Sequence, residues 1–294
     1  MNEMHRDMKH NKDQSDLSDR VFSGADVAWE KSKAEIWNDL EKGLVKEDSS
    51  PVPVRRMLPR KQWLAMAASL VLLLAVSSFM RFYSVKTYCP AGVHISLNLP
   101  DGSVVEVNAA STVAYHPYWW FVSRKVDLEG EAFFRVEEGR RFQVVSDLGT
   151  TQVLGTTFNV FARGKDYLVS CHTGSVRVSA AMSEQSVILS PNELAELDES
   201  GDLKVNPQVN QGQTPGWTNN LIMFTSAPLG LVFEEIERQY GIVIEAPAEM
   251  PQVYSGNFAL DQSVENILSL LCLPFDLTYE RQNGNVYLVY PSVE

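Results

Sequence analysis

The stretch from Gln62 to Met80 constrains this chain more than any other. It reads QWLAMAASLVLLLAVSSFM, carries no charged residue, and lies between Arg60-Lys61 and Arg81. As a helix it would span about 28 Å, close to the hydrocarbon thickness of a bilayer. Trp63 at one end and Phe82-Tyr83 at the other are amphipathic rings of the kind that favour the headgroup region. A helix buried in a soluble domain rarely runs this long without charge, and a signal peptide would sit at the extreme N-terminus. Residues 62–83 are therefore expected to form a transmembrane helix.

The flanks predict its orientation. Arg55, Arg56, Arg60 and Lys61 precede the helix, whereas Arg81 and Lys86 follow it. The excess of basic residues before the span puts the N-terminus in the cytoplasm. The Arg55-Arg56 pair matches a twin-arginine export signal only in part, and topology charges are the simpler reading. The expected layout is a cytoplasmic segment over 1–61, one span, and a large outer part. The net charge of −12 belongs to that outer part: from Arg81 onward there are 13 Lys/Arg and 25 Asp/Glu, against 12 and 12 in the first 61 residues. Neither half presents the basic face of a nucleic-acid binder, so no direct nucleic-acid contact is expected.

In the first segment, SGADVAWEKSKAEIWNDLEKGL reads as a helix that Ser23 or Asp26 would cap. Trp29, Ile36, Trp37, Leu40 and Leu44 recur at helical spacing and make an apolar stripe, with Lys31, Lys33, Glu35, Asp39 and Glu41 mainly on the other side. One helix cannot bury such a stripe by itself. These five residues are the candidate contact set for a cytoplasmic protein groove, with the tryptophans as anchors. The competing reading is a weakly ordered helix that packs on itself or on lipid. The proline-bearing EDSSPVPVRRMLP then reads as a stiff, extended linker.

Beyond the span, short runs punctuated by glycine (VHISLNL, VVEV, VAYH, RKVDLEG, EAFFRV, RFQVV, TFNVFA, DYLVSCH, SVRVS, SVILS) predict an all-β domain over 84–206, an antiparallel sandwich or β-roll. A polar stretch near 208–213 reads as a linker. From 214 to 294 the period changes to β-α-β-β-α-β-β, a small α+β domain. Its first helix is expected to start near Pro228 and stop at Gly241, and its last hairpin to turn at Asn283-Gly284.

Chemistry is sparse. His94, His116 and His172 stand apart from acidic or cysteine partners at useful spacing, and Cys89, Cys171 and Cys272 have no metal-ligand spacing. Buried free thiols are expected, with one disulfide as the alternative. Cys171 and His172 are adjacent on a predicted strand, so their side chains point to opposite faces. Glu129 and Glu131 flank Gly130 and are expected to be solvated. Tyr118-Trp119-Trp120-Phe121 is either a core plug under a loop or a partner patch. No enzyme, metal or cofactor is expected.

The segments LPDGSVVEVNAASTVAYHP, RKVDLEGEAFFRV, FQVVSDLGTTQVLGTTFNVFA and HTGSVRV resemble the periplasmic domain of FecR-type anti-sigma factors. SAPLGLVFEEIERQYGIVIE, YSGNF and SVENILSLL are similar to the small domain that ends such regulators in Bacteroidetes, whose layout resembles the secretin/TonB short N-terminal domain. The resemblance implies a multi-domain, single-pass protein of the bacterial inner membrane. Its cytoplasmic segment would bind an extracytoplasmic-function sigma factor, and its outer part would respond to the periplasmic signalling domain of a TonB-dependent outer-membrane transporter. Some relatives are cut within the membrane, which implies an intramembrane protease as a further partner. The His/Cys cluster of zinc-binding anti-sigma domains is missing here, so the resemblance implies no metal. The alternative from a different class is a membrane-tethered periplasmic scaffold that binds an envelope transporter or secretion channel.

Overall fold

The computed structural model describes residues 30–44, 60–207, 215–247 and 250–292. The chain divides into two compact units, Met1–Ala65 and Met66–Glu294.

In the first unit, helix α1 spans Lys33–Leu44. Its first turn is closed by a capping box between Ser32 and Glu35, and the part of the predicted helical stretch before residue 30 lies outside the described residues. The Ser32 N–H donates to Glu35 Oε2 at 2.8 Å, and the Glu35 N–H donates to Ser32 Oγ at 3.4 Å. Residues 30–32 are not helical. Ser23 and Asp26, the expected caps, lie outside the described residues, as do Trp29 and the predicted linkers.

Helix α2 spans Arg60–Phe82, against the expected 62–83. Its most apolar window has a mean hydropathy of 2.1 and none of it is buried in the protein. Among the described residues it is the one helix long and apolar enough to cross a membrane. A strand that the sequence reading missed, β1 (Val85–Cys89), follows almost at once.

The β-rich domain is a two-layer arrangement organised on one long strand. After β2 (Ile95–Asn98), β3 (Val104–Val107) and β4 (Ser111–Tyr115) comes β5 (Arg124–Arg135), whose halves had been expected as separate strands. The first half of β5 pairs with β4 and the second half with β3, so β5 passes from one sheet to the other. The bend falls at Gly130, with φ at +105°. A Cβ there would lie 2.5 Å from Ser111 Oγ, so only glycine fits. The next strand, β6 (Phe142–Val145), returns to the start of β5 and pairs with it in parallel, a pairing that a purely antiparallel sandwich, one of the two expected architectures, would not contain. Buried Arg124 holds the returning loop. Its guanidinium donates to the Arg140 carbonyl at 2.7 Å and the Glu137 carbonyl at 2.9 Å, and it pairs with Asp101.

The remaining strands widen the two sheets. β7 (Gly149–Val153), β10 (Val176–Ala180) and β11 (Ser186–Leu189) extend the sheet that contains β6. β8 (Thr157–Arg163), β9 (Asp166–Cys171), β12 (Glu193–Leu197) and β13 (Leu203–Pro207) extend the other. Inward residues such as Val107, Phe134, Phe142, Phe158 and Val169 fill the space between them. Phe134 stacks on Phe158 at 5.0 Å.

The C-terminal part has the predicted order. β14 (Leu221–Pro228) leads into α3 (Leu229–Tyr240), then β15 (Val243–Glu245), β16 (Val253–Ala259), α4 (Val264–Cys272), β17 (Leu277–Arg281) and β18 (Val286–Pro291). Pro228 precedes α3, and Gly241 ends it in the left-handed conformation, φ +64°. β17 and β18 form the expected hairpin, with Gly284 at φ +70°. β15 pairs with β18 in parallel. Leu229, Val232, Ile236, Ile267, Leu268 and Leu271 make a second, separate core.

Candidate functional site

The α1 surface is defined by what does not cover it. At 100° per residue, Ile36, Leu40, Leu44 and Trp37 fall within a single arc of about 100°. All four are exposed: Trp37 at 64% and Leu44 at 72%. Ile36, Leu40, Gly43 and Leu44 line a shallow depression with Lys31 and Asp39 at its edge. Lys31 Nζ and Asp39 Oδ2 pair at 2.9 Å across that edge. Lys33 departs from the expected division, because as the first helical residue it falls in line with the stripe. Four of the five candidate residues thus share one open face, and the fifth, Trp29, lies outside the described residues.

A second constellation forms where the C-terminal domain meets the β-rich domain. Its centre is Glu131, on β5 just past the Gly130 bend, and it is buried, not solvated as the sequence suggested. Three N–H groups converge on its carboxylate. Asn108 donates to Oε2 at 2.7 Å, while Asn159 at 2.8 Å and Trp217 Nε1 at 2.9 Å both donate to Oε1. Burial pushes the Glu131 carboxyl up and the charge of Glu235 adds to this; the amides of Asn159 and Asn108 and the charge of Arg163 pull it partly back. Glu129, the other member of the pair, is exposed.

Around Glu131 the two domains interlock. Gln239 of α3 donates to Asn108 Oδ1 at 2.9 Å and to Glu235 Oε1 at 2.7 Å, and its own Oε1 meets His94 Nε2 at 2.9 Å. The His94 and Trp217 rings meet edge-on at 5.3 Å. The Gly92 N–H donates to the Arg238 carbonyl at 2.8 Å, which seats the end of α3 against the β1–β2 loop. A cleft of about 1080 Å³ lies beside this junction, lined by residues of both domains that include Glu131, Arg163, Trp217 and Glu235. The sequence held one clue to the buried junction. After Gly130, Ala132, Phe133 and Phe134 are consecutive apolar residues in a strand, which signals cover on both faces.

Among the described residues the cysteines and histidines make no reactive pair. Cys89, Cys171 and Cys272 are free and buried, as expected. Burial pushes the Cys171 and Cys272 thiols up to about 11. Cys171 points into the β core, while His172 lies edge-on to Phe133 at 5.5 Å on the opposite face.

Comparison with known proteins agrees with this architecture. Residues 86–177 match the family described as FecR protein, and residues 221–289 match the one described as FecR, C-terminal. Two crystal structures of a candidate anti-sigma factor from Parabacteroides distasonis ATCC 8503 are similar, each with 27% identity and a TM-score of 0.64. They cover 72% and 71% of this chain and 100% of their own. No curated protein matches it. The chain belongs to the FecR family of anti-sigma factors, and its role lies in signal transduction to transcription. The family is regulatory and implies a sigma factor as partner.

Proposed function

We propose that this chain is a single-pass inner-membrane anti-sigma factor that holds an extracytoplasmic-function sigma factor on the cytoplasmic side and releases or re-poses it on a signal from outside. The observation that carries the reading is the pairing of both FecR regions with an exposed apolar stripe on the far side of α2 in sequence. In this reading residues 1–61 are the sigma-binding segment, 62–83 the span, 84–206 the periplasmic β domain, and 214–294 the terminal α+β domain. The basic flank Arg55–Lys61 supports a cytoplasmic N-terminus. Ile36, Trp37, Leu40 and Leu44, with Trp29, supply the contact. The outer signal comes from the periplasmic signalling domain of a TonB-dependent transporter. The chain acts as a regulator without catalytic chemistry, metal or cofactor.

One helix carries little conformational detail, so the signal must change a discrete state, such as cleavage of α2 by an intramembrane protease or a change in association. Deleting residues 84–294 tests the coupling. The truncated chain should still retain its sigma factor, while a reporter of that sigma factor's promoters loses its response to the transporter's ligand. An unchanged response in the truncation would contradict the proposal.

A further inference from the structure

The segment joining β4 to β5, His116–Ser123, reads HPYWWFVS and contains no acidic residue, Lys or Arg. The signalling reading does not use it, and the structure resolves its ambiguity by splitting it. Trp120 faces inward: it is buried, edge-on to Tyr115 at 5.7 Å and to Phe142 at 5.8 Å, and it fixes the loop to the β core. Tyr118, Phe121 and Val122 remain exposed, Phe121 at 61%.

This outward group lies at the C-terminal end of α2. The Tyr118 ring is 5.2 Å from Tyr83 and 6.1 Å from Phe79. The Arg81 guanidinium sits 5.7 Å from the Trp119 ring, and His116 Nδ1 is 2.9 Å from the Tyr83 carbonyl oxygen. Phe82 and Tyr83 are themselves exposed, so helix end and loop form one aromatic patch. Its chemistry is that of a membrane interface: aromatic rings with polar tips, an uncharged stretch, and arginine beside them. The rest of the outer part is strongly acidic. A polar aqueous setting would leave this patch as bare apolar surface, whereas the helix it touches leads directly into hydrocarbon.

We propose that the 117–122 loop enters the headgroup region of the bilayer that α2 crosses. This second contact, added to the covalent one, holds the β domain in a fixed orientation over the membrane. The inference rests on α2 being a span. β1 starts at Val85, two residues after Tyr83, so helix and domain have little free leash between them. A force that tilts the domain would lift the loop or turn the helix.

The test uses the full chain in phosphatidylcholine–phosphatidylglycerol nanodiscs, with an environment-sensitive fluorophore on one introduced cysteine at a time. The native thiols are buried and serve as a background. Phe121→Cys and Val122→Cys report on the loop, Leu73→Cys on mid-helix, and Leu273→Cys on an exposed site of the C-terminal domain. Spin-labelled lipids carrying the quencher near the headgroup should quench the labels at 121 and 122 several-fold more than the label at 273. Labels at 121 and 122 that behave like the one at 273, with the label at 73 quenched by mid-chain spin labels, would overturn the proposal and leave the span standing. If the label at 73 also escapes quenching, both fall.

Discussion

The α1 stripe and the Glu131 junction are opposite solutions to the same physical problem. On α1, large apolar side chains stand in water with nothing from the described residues covering them. At the junction a carboxyl side chain is taken out of water, and three N–H donors are aimed at it. An uncovered apolar face gains free energy only when a partner arrives. A fully satisfied buried carboxylate gains nothing from a partner and loses if one neighbour is removed. The first is therefore the place to look for binding, and the second holds two domains in one register.

That contrast can be broken most severely at the stripe. Trp37→Ala combined with Leu40→Ala should weaken sigma-factor binding by about 3 kcal/mol or more, on the order of a hundredfold, since anchors of this kind dominate small interfaces. Thermal unfolding of the outer domains should not change. Binding isotherms with the purified full chain check the first statement and calorimetry the second; loss of both would mean that the stripe is structural.

At the junction the expected effect is on stability. Glu131→Leu strands the N–H groups of Asn108, Asn159 and Trp217 and should cost about 3 kcal/mol in urea unfolding. Trp217→Phe keeps an aromatic ring but removes one donor and part of the buried indole, for about 1–2 kcal/mol. Neither should alter sigma binding in the absence of signal.

Proton linkage gives a finer test of the same site. The folded Glu131 carboxyl is held above its ordinary value of 4.5. As pH rises through 4.5 the unfolded chain ionises first, so the contribution of this group to stability falls from there up to its folded value. The stability difference between wild type and Glu131→Gln should therefore decline with rising pH in that window. Glu235 and Arg163, which face the site, are common to both proteins. A difference that grows with pH would show that the three donors outweigh burial.

The smallest effect is expected at the α1 cap. Ser32→Ala opens the capping box and should cost about 1 kcal/mol of local helix stability. Faster amide exchange over Glu35–Leu44 would report it, with sigma binding weakened only a few-fold.

The stripe was legible in the sequence because periodicity is local: Ile36, Leu40 and Leu44 announce their face without reference to any other element. The same holds for α2, for the alternating strands of the β domain, and for the Pro228–Gly241 bounds of α3. The Ser32–Glu35 capping box was not singled out in the sequence, although it satisfies two backbone groups at once where α1 begins. The parallel return of β6 depends on Arg124 meeting carbonyls of residues 137 and 140, a long-range event without a local signature. Glu131 was misread for the same reason. Its environment is made by Asn108, Asn159 and Trp217, which are distant in sequence, and a carboxylate beside a glycine otherwise reads as solvated.

Contact between the α1 face and a sigma factor in the cell underlies every other part of the proposed function. The most direct measurement places a photo-crosslinking amino acid at position 37 of the full-length membrane protein in living cells and identifies the product by mass spectrometry. The expected product is a crosslink to one extracytoplasmic-function sigma factor, reduced when the transporter is stimulated. A crosslink only to lipid or to a second copy of this chain, with no sigma factor found, would contradict it.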